Sequence, residues 1–332
     1  NNEITAIPEN ISNLSNLKTL NLYKNQITGT IPEYIGNLTK LENLQLSYNE
    51  FSGIPESIGN LTNLKSLYIY NNKLTGNIPE SIGNLTSLLY LDLDYNELTG
   101  IIPESIGNLI FLQSIQIYNN KLTGNIPESI GNLTVLRTLQ LGKNEFTGTI
   151  PAIIGNLTEL NYIHLADNKL TGAIPKGIVN LTNLSSLYLY NNQLTGIIPE
   201  SIVNLTNLSS LYLYNNQLTG IIPEEIGNLT NLRYLYLHDN NITGIIPESI
   251  MYLTNIRYLD LSNNQLMGLI PDSLCNLTSI IGLTLNNNSL CPVYPVCISE
   301  STIGAQDTTK CGYPQIFKLI PPQPAPGQMV TL

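Results

Sequence analysis

Three residues come nearest to a reactive set: His238 could act as a base, Asp260 could orient it, and Ser262 could serve as a hydroxyl nucleophile. They occupy outward positions of adjacent repeats, so they should face one side of a common sheet. Hydrolysis also needs oxyanion donors and a pocket that sheds water. An open, solvated strand surface supplies neither, and we expect no enzyme. The only histidines, His164 and His238, lack the clustered carboxylates or thiols that hold a metal ion, so no metal and no cofactor are expected.

Tyrosine supplies a second kind of chemistry, recognition without reaction. With the repeats written beneath one another, His164, Tyr188, Tyr212, Tyr236 and Asp260 form one column. Tyr190, Tyr214 and His238 lie beside it, and Tyr162, Tyr234 and Tyr258 flank its other side. A phenol offers rigid apolar area with a polar tip, which suits it to the energetic centre of an interface. These residues are the candidate ligand-binding face. A smaller group towards the N-terminus comprises Tyr68, Tyr70, Tyr90, Asp92, Asp94, Tyr95 and Tyr118. Residues 178–200 and 202–224 are identical, so two of the coils bearing the patch count as one observation. The general preference of tyrosine for strands is the competing explanation.

What must position these side chains is an array. Ile-Pro pairs begin at Ile7, Ile31, Ile54, Ile78, Ile102, Ile126, Ile150, Ile174, Ile198, Ile222, Ile246 and Ile270, spaced by 24 residues except for one step of 23. A unit that short cannot bury its own apolar face, so units must stack and share one core in a single elongated domain. Within each, L-x-x-L-x-L-x-x-N alternates apolar and outward residues with the period of a half-buried strand. Twelve such strands side by side predict a parallel sheet roughly 50 Å long at about 4.8 Å per strand.

The asparagine closing the strand recurs at Asn25, Asn49, Asn72, Asn96, Asn120, Asn144, Asn168, Asn192, Asn216, Asn240, Asn264 and Asn288. A short amide where the chain turns inward can satisfy buried backbone groups, so this ladder is read as structural. L-T-G-x-I-P then turns the chain, and P-E-S-I-G-N-L predicts a short helical or 3₁₀ stretch led by proline and an acid. The acids, among them Glu56, Glu80 and Glu104, form a flank stripe, read as helix-start charge in preference to a calcium site. Threonines from Thr28 to Thr243, with Ser52 among them, form a hydroxyl column on the turn, read as satisfying local backbone groups. The short step at Gly53-Ile54 predicts a local loop contraction.

Only 11% of residues are charged and the net charge is −10, which argues against nucleic acid or an anionic membrane as partner. No membrane-spanning segment or signal peptide is legible. All four cysteines, Cys275, Cys291, Cys297 and Cys311, crowd the C-terminal end in no zinc-binding spacing, which predicts a disulfide-stapled cap and an oxidising, extracellular setting. Of three possible pairings, repeat phase favours Cys275–Cys297 with Cys291–Cys311, because Tyr294-Pro295-Val296-Cys297-Ile298 overlays an earlier Ile-Pro-x-x-Ile. Fifteen N-x-S/T sequons, including Asn37 and Asn180, belong mostly to the repeat consensus. The expected organisation is a solenoid over 1–290, a cap over 291–312 and a Pro-rich linker over 313–332 that tethers a further domain. Because Asn2-Glu3-Ile4 opens in mid-coil, upstream repeats or a cap are also expected.

The phrase LTGxIPxxIGNLxNLxxLxLxxN, matched across about residues 2–298, resembles the plant-type leucine-rich repeat. The resemblance implies a curved α/β solenoid with the sheet on its concave face, short helical segments on its convex face, and a second short strand near the LTG turn. It also implies a non-catalytic role, as in receptor-kinase ectodomains and receptor-like proteins that bind peptides, hormones or co-receptors, and in polygalacturonase inhibitors. Similar repeats occur in bacterial and protist surface proteins, so no host is implied. The expected partner is a protein, peptide or glycan. A structural spacer or adhesin stalk is one alternative, and ice binding through the threonine column, known for some plant relatives, is another.

Overall fold

Each coil closes in the same way in the computed structural model, which describes residues 3–311. The linker assigned to 313–332 and the last residue of the assigned cap lie outside those residues. Twelve three-residue strands, from Thr19–Asn21 to Gly282–Thr284, form one parallel sheet whose spatial order is the sequence order. The array is a curved solenoid with this sheet on its concave face, as the resemblance to plant-type repeats implies. Register holds from coil to coil: Leu187 pairs with Leu211, and Tyr212 with Tyr236.

The sheet forms because the middle residue of the inner strands, such as Leu187, Leu211 or Leu235, is fully buried, while its neighbours lie on the outward side. Behind it, one continuous core of leucine and isoleucine runs from Ile7 to Ile303. The convex side is closed by 3₁₀ turns such as Glu80–Asn84 and Glu104–Asn108, each entered from a proline in extended conformation. Glycine sets their spacing: a Cβ on Gly83 would lie 2.5 Å from the Ser105 carbonyl oxygen.

Short second ladders form on the LTG turn, pairing Thr28–Thr30 with Glu50–Gly53, Thr171–Ala173 with Gln193–Thr195, and Met267–Leu269 with Ser289–Cys291. The 23-residue step is absorbed there, by a register shift between Gly29 and Thr30 that sets Thr30 against Gly53.

The asparagines hold the inward turn. Asn192 Nδ2 donates to the carbonyls of Leu165, Leu189 and Tyr190 at 3.0, 3.1 and 3.2 Å, and its Oδ1 accepts the Leu170 N–H at 3.0 Å. Asn96, Asn144 and Asn240 repeat the arrangement. Two features here escaped the sequence reading. The residue before each ladder asparagine has positive φ in all twelve coils, including Lys24, Tyr48, Tyr95 and Lys143, between 50° and 59°. Beyond the last asparagine, Gln306 takes over the ladder's work, donating to the Leu285 and Ile303 carbonyls and accepting the Leu290 N–H at 3.0 Å.

At the C-terminal end Cys275 is bonded to Cys297 and Cys291 to Cys311, with Cα separations of 5.8 and 5.6 Å. A four-residue helix, Glu300–Ile303, is capped by Ser299 and tucks Ile303 against the open end of the core. No helix among the described residues is long and apolar enough to cross a membrane.

Candidate functional site

Parallel register puts like positions side by side, so tyrosines separated by one repeat must touch. Tyr188 and Tyr212, and then Tyr212 and Tyr236, have ring centroids 4.7 Å apart with tilted or edge-on geometry. In the next column Tyr190, Tyr214 and His238 stack nearly parallel, at 4.5 and 4.4 Å. Tyr234 and Tyr258 stack at 5.7 Å on the other side. Tyr162 reaches Tyr188 at 5.5 Å. The result is a continuous aromatic surface from Tyr162 to Tyr258, with each phenol half-buried by its neighbours. The rings that stack in parallel, Tyr190, Tyr214 and His238, have their faces covered by one another and offer edges and polar tips.

Mutual burial also sets the proton balance. Burial first, then neighbouring acids and phenols, pushes Tyr162 up to about 12 and raises Tyr190, Tyr212, Tyr214 and Tyr236. These hydroxyls keep their protons at physiological pH and remain hydrogen-bond donors.

His164 departs from its assignment to the exposed face, for it is only 8% exposed. Gly142 on the preceding coil leaves a hollow, and the imidazole fills it: a Cβ on Gly142 would sit 2.2 Å from His164 Nδ1. The ring packs against Tyr118, Tyr188 and Tyr190 at 5.2 to 5.8 Å. Burial lowers its pKa, so it is a neutral filler that joins Tyr118 to the main patch.

The trio with hydrolytic residue types is wired in the wrong order. Ser262 Oγ donates to Asp260 Oδ1 at 2.6 Å, whereas His238 Nδ1 lies 3.5 Å from Asp260 Oδ2 and makes no hydrogen bond to a described residue. The hydroxyl is therefore engaged by the acid and not by the base. Ser262 is also 5% exposed, out of reach of an attacked carbonyl.

Towards the N-terminus, Asp94 is 7% exposed and ties three coils together, accepting the Tyr118 N–H at 2.6 Å and Gln140 Nε2 at 2.7 Å. On the turn flank, Thr75, Thr123, Thr171, Thr219 and Thr243 donate their hydroxyls to carbonyls of the preceding coil at 2.9 to 3.2 Å. One apolar row on that flank shows only in the folded chain: Ile197, Ile221, Ile245 and Leu269 occupy equivalent positions and are 43 to 58% exposed.

A sequential parallel sheet of 24-residue coils, each closed by asparagine and backed by 3₁₀ turns, defines a leucine-rich-repeat solenoid. The description "Leucine-rich repeat region" matches residues 1–97, 33–149 and 72–170, and "Leucine rich repeat" matches 182–242 and 230–290. The chain belongs to the leucine-rich-repeat family, with repeats of the plant type.

Three solved structures place it further. The ectodomain of the Arabidopsis receptor kinase HAESA, in complex with an N-terminally extended IDA peptide hormone, is 40% identical with a TM-score of 0.81, over 86% of this chain and 48% of that one. The Leptospira interrogans protein LIC12759 is 36% identical with a TM-score of 0.72, over 87% and 71%. A plant ice-binding protein is 28% identical with a TM-score of 0.58, over 72% and 77%. The chain spans about half the length of the receptor chains it matches. No curated protein sequence matches it.

Proposed function

We propose that this chain is a non-enzymatic, extracellular or cell-surface recognition module that binds a peptide or protein segment through its concave tyrosine face. One observation carries the reading: the unbroken aromatic surface from Tyr162 to Tyr258, whose phenols have neighbouring ring centroids 4.7 to 5.7 Å apart. A row of donors above ring edges suits the carbonyls of an extended chain. A glycan is less well served where Tyr190, Tyr214 and His238 stack, because sugars stack on open ring faces and these rings cover one another. Two disulfides in the cap support an oxidising compartment, and HAESA, a peptide-hormone complex, is a structural neighbour.

Ice binding is disfavoured because five hydroxyls of the threonine column already donate to backbone carbonyls. A passive stalk would have no use for the tyrosine surface. Capture of ligands from native extracellular material by the intact chain and by a Tyr212→Ala/Tyr236→Ala variant is the test. The tyrosine variant should stay folded and lose the ligand, while changing Glu56 and Glu80 on the flank should leave capture intact. Loss in the flank variant with retention in the tyrosine variant would move the site to the acidic stripe.

A further inference from the structure

Charge is sorted across the width of the concave sheet. Over all twelve coils, the positions equivalent to Tyr234, Tyr236 and His238 carry three carboxylates, Asp92, Asp94 and Asp260, and no lysine or arginine. Cations are confined to the margins, as with Arg137 and Arg233 on one edge and Lys24 and Lys143 on the other. Asp94 is already spent on Tyr118 and Gln140. The other two each engage Oδ1 alone, Asp260 with both the N–H and the hydroxyl of Ser262.

Asp92 and Asp260 stand in the same setting, seven strands apart. Each ends a Tyr-Leu-Asp strand, Tyr90–Asp92 or Tyr258–Asp260. Each has a tyrosine beside it in register on the preceding strand, Tyr68 next to Asp92 and Tyr236 next to Asp260. In both, Oδ1 accepts the backbone N–H two residues on, at 3.1 Å from Asp94 and 3.0 Å from Ser262. Asp92 Oδ2 makes no hydrogen bond with any described residue, and Asp260 Oδ2 has only the non-bonded His238 Nδ1 nearby. A carboxylate oxygen left free beside a phenol, on a face without lysine or arginine, suits a guanidinium or ammonium group, which gains an ion pair and contact with the neighbouring ring.

Seven steps of about 4.8 Å separate the two stations by about 34 Å along the sheet, and an extended chain covers about 3.4 Å per residue. We infer that the ligand is an extended peptide with two basic side chains about ten residues apart, one seated at Asp92 and the other at Asp260. This rests on the recognition reading above and adds the chemistry of its ends. Between the stations Gln116 and Gln140 and then Tyr188 and Tyr212 offer neutral hydrogen-bonding groups to the backbone of the peptide. Burial pushes the Asp92 carboxyl up to about 6, so the station is ionised at neutral pH and the charge it carries is poorly hydrated, which favours a cation.

The test uses the full chain and two displayed peptide libraries, both with nine randomised residues between fixed ends, arginine in one and glutamate in the other. Arginine-ended peptides should enrich and bind at least tenfold tighter than any from the glutamate library. Asp92→Asn and Asp260→Asn keep the Oδ1 acceptor and the fold, and each should weaken the selected peptides about tenfold. Equal enrichment of both libraries, no enrichment of either, or indifference to both asparagine variants would overturn the inference. Peptides that ignore the asparagine variants but are lost with Tyr212→Ala would leave the recognition face standing. Peptides that ignore Tyr212→Ala and Tyr236→Ala would bring down that reading as well.

Discussion

Asn192 Oδ1 accepts the backbone N–H of Leu170, which lies 22 residues earlier on the neighbouring coil, at 3.0 Å. The same side chain donates to carbonyls of its own coil and of the preceding one. One amide thus replaces the backbone partners that two stacked turns cannot give each other. The coils are joined by these contacts as well as by apolar packing.

Removing that amide leaves the Leu170 N–H without its acceptor in a part-buried turn, while the Leu165, Leu189 and Tyr190 carbonyls keep Asn168 Nδ2, Asn216 Nδ2 and the Asp167 N–H. Asn192→Ala should destabilise by about 1–3 kcal/mol, read as the shift of the denaturant midpoint at constant m. An unchanged midpoint would mean that water reaches the turn and that the ladder is dispensable.

The cap should behave as an extra rung stapled in place. Gln306→Ala removes the acceptor of the Leu290 N–H and the donor to Leu285, and reduction of Cys275–Cys297 and Cys291–Cys311 frees the segment that carries it. Hydrogen exchange should then accelerate first in the coils of Leu285 and Leu261, with the middle coils unaffected, because stacking partners run out at the end. Uniform acceleration along the array would contradict this.

Asp94 should make stability fall as pH rises. Burial, and next the charge on Asp92, pushes its carboxyl up to about 7, and burial pushes Asp92 to about 6, against an ordinary value of 3.8. Between those limits the folded chain holds protons that the unfolded chain has released, so unfolding free energy declines with rising pH and levels off above about 7. Asp94→Asn keeps an acceptor for the Tyr118 N–H and should be more stable than wild type at pH 8 by about 1–3 kcal/mol, with the gap closing near pH 4. Paired melts at the two pH values decide it, and a gap that widens on acidification would reverse the sign.

Gly142→Ala should disturb the aromatic surface from below. The added Cβ would meet His164 Nδ1 at 2.2 Å, forcing the imidazole out from among Tyr118, Tyr188 and Tyr190. Overpacking of this kind costs about 1–3 kcal/mol, and ring-current shifts of the tyrosine resonances would report the displaced ring. Wild-type shifts and stability would show that the hollow is larger than its lining suggests.

The sequence by itself determined the architecture, for a physical reason that lies within each repeat. A 24-residue unit with Leu187 and Leu189 inward and Tyr188 and Tyr190 outward has one way to bury its apolar edge, against a copy of itself, and that fixes strand order, register and the columns in which Tyr188, Tyr212 and Tyr236 meet. The asparagine ladder was legible for the same reason, since a polar residue in constant phase must serve the repeat. What tertiary structure decided depends on contacts between unlike coils. His164 and Tyr188 hold the same repeat position, yet the hollow above Gly142 buries the histidine while its neighbour stays half-exposed. Asp92 and Asp94 are two residues apart on one coil, yet the Tyr118 N–H of the next coil and the distant Gln140, reaching across that strand, engage both oxygens of Asp94, whereas Asp92 keeps one oxygen free. Gln306 lies outside the repeat phase, and only the folded cap shows it doing an asparagine's work. Periodicity specifies whatever every coil shares, and the individuality of this surface comes from the places where neighbouring coils differ.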